Sequence, residues 1–239
     1  TQPHTPSDHA TLSLLHANVL ASNPRIDEAE RLLLSGNHDI LTLMELPRDI
    51  GRALRAGAAP NPYPHMLISA PMKGLAGWVT ILSRWPLERW DPESPDDRTG
   101  TMCAIAHTPR GPLGIVAIHA PSPWSPTRWR IGNIVARRAA SIAHRMRQTG
   151  IPVIVVGDLN AAPLGARSRR LARDAGLRRA KPLASPRGTY PAFLPWPLSV
   201  AIDDALLSDN ILLHTWRTLE CPGSDHAAVE IQLLLTPNP

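Results

Sequence analysis

The stretch from Pro152 to Pro163, PVIVVGDLNAAP, decides how this chain is to be read. Four apolar residues, Val153 to Val156, run straight into Gly157, Asp158, Leu159 and Asn160. A short apolar run bounded by turn formers is a strand built for a core. An acid and an amide two positions apart are an odd way to end one. In extended backbone, residues two apart face the same side, so Asp158 and Asn160 are expected to point into one cleft.

Working outward, strands and helices alternate. SPTRWRIGNIVARRAASIAHRMRQTG (125–150) reads as a long helix, with Ser125 as cap, Pro126 just inside the start and Gly150 past the end. Strands are expected at TLSLLHAN (11–18), DILTLME (39–45), GWVTILS (77–83), TMCAIAH (101–107) and LGIVAIH (113–119). Three more are expected downstream, at AIDDALLS (201–208), ILLHTWRTL (211–219) and HAAVEIQLLL (226–235). NPRIDEAERLLLSG (23–36) reads as a helix with Asn23 as N-cap, Pro24 at the first position, acids in the first turn, Ile26, Ala29 and Leu33 on one face, and Gly36 as the stop. A short helix is expected after Pro47. Neither repeat nor linker interrupts the pattern. One domain is expected over residues 11–239, preceded by a flexible leader over 1–10.

Composition sets the outer bounds. The chain has 239 residues, 43% of them hydrophobic, enough for a sizeable core. Its net charge is +5 and its pI about 10.0, which favours anionic partners such as nucleic acid, phosphorylated metabolites or a membrane surface. Many of its 26 prolines sit in stretches such as PNPYPH (60–65), APSPWSP (120–126) and YPAFLPWP (190–197). Trp and Phe interleaved with these prolines mark shaped loops. No run reaches the ~18–20 apolar residues of a membrane span, and no signal peptide is visible. The chain opens at Thr1, not Met, which leaves room for a preceding segment, and a secreted or membrane-anchored setting is expected. Cys103 and Cys221 suggest neither a zinc site nor a disulfide framework. They either pair outside the cytoplasm or sit as two core thiols.

The strand ends carry the chemistry. Asn18 ends the first strand, Glu45 the second and His119 the one before the long helix; Asp158 and Asn160 end the quoted one. Asp203 opens AIDDALLS, and Asp225 and His226 precede the last strand. Any one of these has an ordinary explanation. An Asp or Asn after a strand is usually a turn former, and His119 before APSP reads as a loop histidine. Glu45 between Met44 and Leu46 is odder, because an unpaired buried acid is costly. Six strand ends so equipped, in one order, exceed what turn chemistry supplies, and open sheets gather their sites at strand termini.

That order resembles the endonuclease/exonuclease/phosphatase superfamily, with the deoxyribonuclease I-like fold, over nearly the whole chain. VIVVGDLNAAP is similar to its Gly-Asp-x-Asn segment, GSDHAAV to its terminal Ser-Asp-His segment, and GWVTILSRWPL to its central strand. AIDDALLS is similar to its Ile-Asp-(His/Tyr) segment, although Asp204 stands where His or an aromatic is usual. LTLMEL has Met44 where Gln is frequent, with Glu45 in place. HANVLASN, HAPSP and RGTYP resemble bacterial membrane-anchored members, some associated with glycopeptide resistance.

The resemblance implies an α+β fold, a four-layer α/β/β/α sandwich of two mixed, mostly antiparallel sheets. It implies a Mg²⁺- or Mn²⁺-dependent hydrolase of phosphomono- or diesters. Glu45 is a hard oxygen ligand suited to such a cation, with Asn18 positioning the metal site and Asp225 as a second contact. By the same resemblance Asp158 orients or deprotonates the attacking water, and Asn160 donates to the phosphate. His226 binds a phosphoryl oxygen or shares the proton transfers, held by Asp203. His119 donates to the phosphate or protonates the leaving group.

The substrate is open between a small or lipid-linked phosphoester and nucleic acid; a catalytically silent phosphate-binding module is the reading of another class. Arg167, Arg169, Arg170, Arg173, Arg178, Arg179, Lys181 and Arg187 form a basic run, and the long helix adds six more arginines. These read as a solvated face, a nucleic-acid track or an attraction to an anionic membrane. Trp124, Trp129 and Trp196 are expected near the cleft, to stack bases, to meet a lipid tail or to pack in the core. A monomer is expected.

Overall fold

Alternation along the quoted strand shows how the molecule is layered. In a computed structural model, which describes residues 11–236 apart from 59, 70–77, 91–98, 183–184, 186 and 196, Val153 and Val155 pack on one side of their strand and Ile154 and Val156 on the other. A strand covered on both faces needs apolar residues at every position, hence the unbroken run.

The described elements follow one another as β1 (Thr11–Asn18), α1 (Ile26–Ser35), β2 (Ile40–Met44), α2 (Arg48–Arg55), β3 (His65–Ile68), β4 (Val79–Ser83), β5 (Leu87–Arg89) and β6 (Thr101–Thr108). Then come β7 (Gly111–His119), α3 (Pro126–Gln148), β8 (Val153–Asp158), α4 (Ala166–Ala175), β9 (Arg178–Arg179), β10 (Asp203–Leu207), β11 (Ile211–Leu219) and β12 (Ala228–Leu235). The strands form two six-stranded sheets, in the orders β11-β12-β1-β2-β4-β3 and β5-β6-β7-β8-β10-β9. Within each sheet one central pair is parallel, β1 with β2 and β7 with β8, and the other pairs are antiparallel.

Three apolar layers bind these parts. Leu14, Ile40, Ile81, Ile115, Ile154 and Ile231 fill the seam between the sheets. Val135, Ala139 and Ile142 of α3 and Leu171 of α4 cover the outer face of the second sheet. Ala29 and Leu33 of α1 and Leu54 of α2 cover that of the first. The result is the four-layer α/β/β/α sandwich expected from the motifs. Gly157 is required where β8 pairs with β7, because a Cβ there would lie 2.0 Å from the Ile118 carbonyl oxygen.

Local departures have local causes. The first helix starts at Ile26, not at Pro24; Asn23 turns the chain just ahead of it, accepting from Arg25 N at 2.7 Å and donating to the carbonyls of Val19 and Pro222. Ser125 caps α3 as expected, accepting from Arg128 N at 3.2 Å. The short strands β3, β5 and β9 and the helix α4 lack the periodic signal that marks the others. No disulfide joins the cysteines: Cys103 lies in the layer under α3 and Cys221 in the layer under α1. The expected leader, Gly77 and Trp196 fall outside the described residues.

Candidate active site

The inner-facing positions of the strands lead into the site. Along β1 they are Leu12, Leu14, His16 and Asn18; along β7, Leu113 to His119 by twos; along β8, Ile154, Val156 and Asp158. Antiparallel β10 enters with Asp203 before Ala205 and Leu207. Where the apolar filling of the seam stops, the same alternation delivers polar groups. Register aligns them: His119 pairs with Asp158 across β7–β8, and Asp158 with Asp203 across β8–β10.

Hydrogen bonds then cross the seam. Asn18 Nδ2 donates to Glu45 Oε1 at 3.2 Å and to Asp158 Oδ2 at 3.3 Å. His119 Nε2 lies 3.2 Å from Glu45 Oε1 and 3.8 Å from Asp158 Oδ2. Asp203 sits between two histidines, with Oδ2 2.8 Å from His226 Nδ1 and Oδ1 3.1 Å from His16 Nε2. Thr189, from the RGTYP segment, fixes Asp203 by accepting from its backbone N–H at 3.0 Å. Ser224 donates to the Asn18 carbonyl at 2.7 Å and accepts from His226 N at 3.0 Å, so the Ser-Asp-His segment is tied to the end of β1. Tyr190 packs against the His226 ring, 4.9 Å between centroids.

Two residues reach the site by unusual backbone. Glu45 has φ 54° and Asn160 φ 44°, a left-handed conformation that Asn tolerates and Glu seldom adopts. The turn at Asn160 modifies the expectation drawn from alternation. Asn160 shares the cleft with Asp158 because the chain curls back after the strand, not because the strand continues. Its backbone N–H donates to Asp158 Oδ1 at 2.8 Å, and its Nδ2 to Asp158 Oδ2 at 2.8 Å and to the Ala120 carbonyl at 2.9 Å. Its amide thus braces the carboxylate.

The electrostatics separate the two aspartates. Burial and the neighbouring Asp203 charge push Asp158 up to about 6, against the pull of His226 and His119. Burial also acts on Asp203, but His226 and His16 outweigh it and hold that carboxyl well below the usual range. Burial alone would lower His226; the Asp203 charge and hydrogen bond, with Asp158 and Asp225, push it instead up to about 10. His119 is likewise raised against burial by its Glu45 hydrogen bond and the Asp158 charge, and Glu45 is lowered against burial by His119. The site therefore pairs a carboxylate poised to take a proton with an imidazolium held by a permanent anion.

All eight expected residues gather here. Glu45, His119, Asp158, Asn160, Asp225 and His226 line one cleft of about 470 Å³, together with Trp124, Tyr190 and others. Asn18 and Asp203 stand behind them through the hydrogen bonds above. Asp204 faces away, paired with Arg179 at 2.5 Å, which explains why a residue unusual for the motif is tolerated. Sequence reasoning missed His16, Thr189 and Arg167. Arg167 belongs to the basic run yet is buried. Its guanidinium donates to the carbonyls of Leu159 (2.9 Å), Asn160 (3.1 Å) and Pro121 (3.3 Å) and to Asn133 Oδ1 (3.2 Å), clamping the loops that carry Asn160 and follow His119. The run is consequently not one face: Arg169 and Arg170 are exposed, Arg167 and Lys181 are buried.

Two donor sets could receive a cation. Asp158, Asp203 and His226 each bring one atom within 4.8 Å of the others. Both Asp203 oxygens, however, already face histidine nitrogens, as does Nδ1 of His226. Glu45 and Asp225 line the same cleft and offer carboxylate oxygens. Both contacts of Glu45 fall on Oε1, and buried Asp225 Oδ1 has no hydrogen-bond partner among the described residues. Hard oxygen donors with an orphaned carboxylate oxygen fit Mg²⁺ or Mn²⁺.

Comparison with known proteins bears on the family and the fold. The model of the Endonuclease/Exonuclease/phosphatase family matches residues 12–226. None of the curated proteins matches the chain. Among solved structures, an endonuclease/exonuclease/phosphatase from Beutenbergia cavernae is similar with TM-score 0.68 and 17% identity, over 95% of this chain and 72% of that one. The 3′ phosphatase NExo from Neisseria, bound to product DNA hairpin, is similar with TM-score 0.67 and 19% identity, over 92% and 98%. Sphingomyelinase C from Streptomyces griseocarneus is similar with TM-score 0.60 and 15% identity, over 93% and 99%. At such identities the structural likeness speaks for the fold.

Proposed function

Because the chain belongs to the endonuclease/exonuclease/phosphatase family, we propose that it hydrolyses a phosphomono- or diester, small or lipid-linked, with the help of a divalent metal. The observation that carries this reading is the seam itself: Asp158 between Asn18, His119 and Asn160, facing a His226 that Asp203 locks in place. Glu45 and Asp225, with Asn18 positioning the site, would hold a Mg²⁺ or Mn²⁺ ion, which would supply charge neutralisation at the phosphoryl group. Asp158 aligns the attacking water and takes its proton. His226 uses Nε2–H, the proton not shared with Asp203, to bind a phosphoryl oxygen. His119 gives a proton to the leaving oxygen as its bond to phosphorus breaks. Asn160 is a positioning residue that keeps both Asp158 oxygens oriented. The HANVLASN, HAPSP and RGTYP segments, through the membrane-anchored subgroup they resemble, favour the lipid-linked substrate.

Turnover of bis(p-nitrophenyl) phosphate with Mg²⁺ tests the reading. Glu45→Gln is expected to abolish metal-dependent turnover and leave the circular dichroism unchanged. Wild-type rates in excess chelator sink the metal assignment. Phosphate binding without turnover of any ester would favour the silent module.

A nuclease is the second reading, favoured by Arg169 and Arg170, exposed in the first turns of α4, the helix that follows the cleft-lining residues Asn160 to Ala162. It requires cleavage of plasmid DNA whose rate falls steeply with salt, with a log–log slope of about −0.9 per phosphate contacted. Arg169→Glu/Arg170→Glu should flatten that slope. We expect weak cleavage or none; efficient nicking at physiological salt, lost in the double variant, reverses the ranking.

A further inference from the structure

The most exposed large apolar side chains in the described structure gather at one end of it. Trp124 is 82% exposed, Leu164 80%, Phe193 77% and Leu198 62%. They lie on three loops: 120–125 between β7 and α3, 159–165 between β8 and α4, and 180–202 between β9 and β10. The strand directions place all three loops at the same end of the sheets, because β7 and β8 run parallel into it and β10 runs antiparallel out of it. Each loop also lines the cleft, through Pro123 and Trp124, Ala161 and Ala162, and Tyr190 and Val200. The apolar tips therefore ring the mouth of the active site. Among the described residues, the loops at the opposite end (36–39, 84–86, 109–110, 149–152 and 208–210) expose no large apolar side chain.

On these three loops and the first five residues of the helices α3 and α4 that follow two of them, every exposed charge among the described residues is basic. The N-termini of α3 and α4 open at the same end, and neither helix has an acid in its first turn. Arg130, Arg169 and Arg170 are exposed there, and among the described residues they have no carboxylate partner. The positive ends of two helix dipoles add to their field.

We propose that this end is a docking face for an anionic lipid bilayer. Trp124, Leu164, Phe193 and Leu198 enter the boundary between headgroups and acyl chains, the arginines meet anionic headgroups, and the cleft receives the phosphoester of a lipid-linked substrate. The substrate part of this proposal rests on the hydrolase reading above; the docking part does not. An apolar ring around a polar cleft suits an interface with a greasy interior and a charged surface. Duplex nucleic acid presents a polyanionic backbone with nothing for Leu164 and Leu198 to enter. A folded protein seated on the ring would close the cleft it surrounds.

Flotation with phosphatidylcholine vesicles, with and without phosphatidylglycerol, tests the docking. The wild type should float with the phosphatidylglycerol vesicles and much less with phosphatidylcholine alone. The triple variant Leu164→Ser/Phe193→Ser/Leu198→Ser alters exposed tips that do not line the cleft. Its vesicle partition should fall at least ~10²-fold, with turnover of bis(p-nitrophenyl) phosphate kept. Arg169→Gln/Arg170→Gln should selectively weaken binding to the anionic vesicles. Failure of the wild type to float with either vesicle overturns the proposal, as does a triple variant that floats like the wild type. Loss of DNA retention in the triple variant, without vesicle binding by the wild type, assigns the ring to nucleic acid and also overturns it. Vesicle binding without phosphodiester turnover leaves the docking standing and removes the hydrolase reading.

Discussion

Asp39 and Asp158 both terminate strands, at opposite ends of the molecule, and they have opposite fates. Asp39 precedes β2, and its Oδ2 accepts from the backbone and hydroxyl of Ser13, both at 2.9 Å, joining β2 to β1. Its hydrogen bonds serve the fold. Asp158 also collects donors, but its carboxylate faces a cleft, where burial and the charge of a second buried acid, Asp203, push it up to about 6. The histidines repeat the contrast. His38, near Asp39, is lowered by burial, with its closest carboxylate, Glu230, 3.9 Å away. His226, 2.8 Å from Asp203, is raised to about 10. Residue type does not distinguish the two ends; burial beside a second charge does.

The largest expected effect tests the contrast directly. Asp158→Asn should lower kcat by ~10²–10⁴-fold, the scale of losing a general base, with thermal stability kept or raised because a buried charge is removed. Asp39→Asn should leave kcat within about twofold and cost about 1–2 kcal/mol of stability, the scale of weakened charge-assisted hydrogen bonds. Paired melts and kinetics decide. Equal kinetic losses in the two variants would erase the distinction between the ends.

A pH profile sharpens it. In the proposed mechanism Asp158 must be ionised to take a proton, so kcat/KM should rise as pH passes about 6. His226 must be protonated to bind the phosphoryl oxygen, so kcat/KM should fall as pH passes about 10. Asp203→Asn removes the anion that raises His226 and should move the alkaline limb to lower pH. An alkaline limb unmoved in that variant would detach His226 from the chemistry.

The third effect is smaller and of mixed kind. Arg167→Met leaves several buried carbonyls without a donor and should cost about 2–3 kcal/mol. Slackening the Asn160 loop should lower kcat about tenfold, with KM little changed. Arg167→Lys should restore part of the stability and less of the rate, because an ammonium lacks the planar fork that serves several carbonyls at once. A full loss of rate with normal stability would place Arg167 in contact with substrate.

The contrast also shows what a sequence can reveal. Six strand ends were legible because their polar residues break apolar runs, and the local motifs named the fold. His16 was not, because between Leu15 and Ala17 it reads as a core histidine; its clue is parity, two residues before Asn18 on the inner face. Arg167 was hidden among neighbouring arginines, and α4 with it, since Leu171 and Ala175 supply most of the buried apolar stripe of that helix. β5 has three residues and β9 two, too short to show any period. That Asn160 holds Asp158 by curling back depends on one φ angle, which no pattern of side chains records.

The hydrogen bonds that build the site cross from one sheet to the other, and the bond between His16 and Asp203 spans 187 positions of chain. Catalytic competence is therefore a gauge of how the halves of the sandwich are seated. During refolding, turnover should return with the final docking of the sheets and lag behind backbone circular dichroism. A compact, swollen state that keeps its strands while the seam loosens would be inert, because a gap of a few ångströms parts Asn18 from Asp158 and His16 from Asp203 at once.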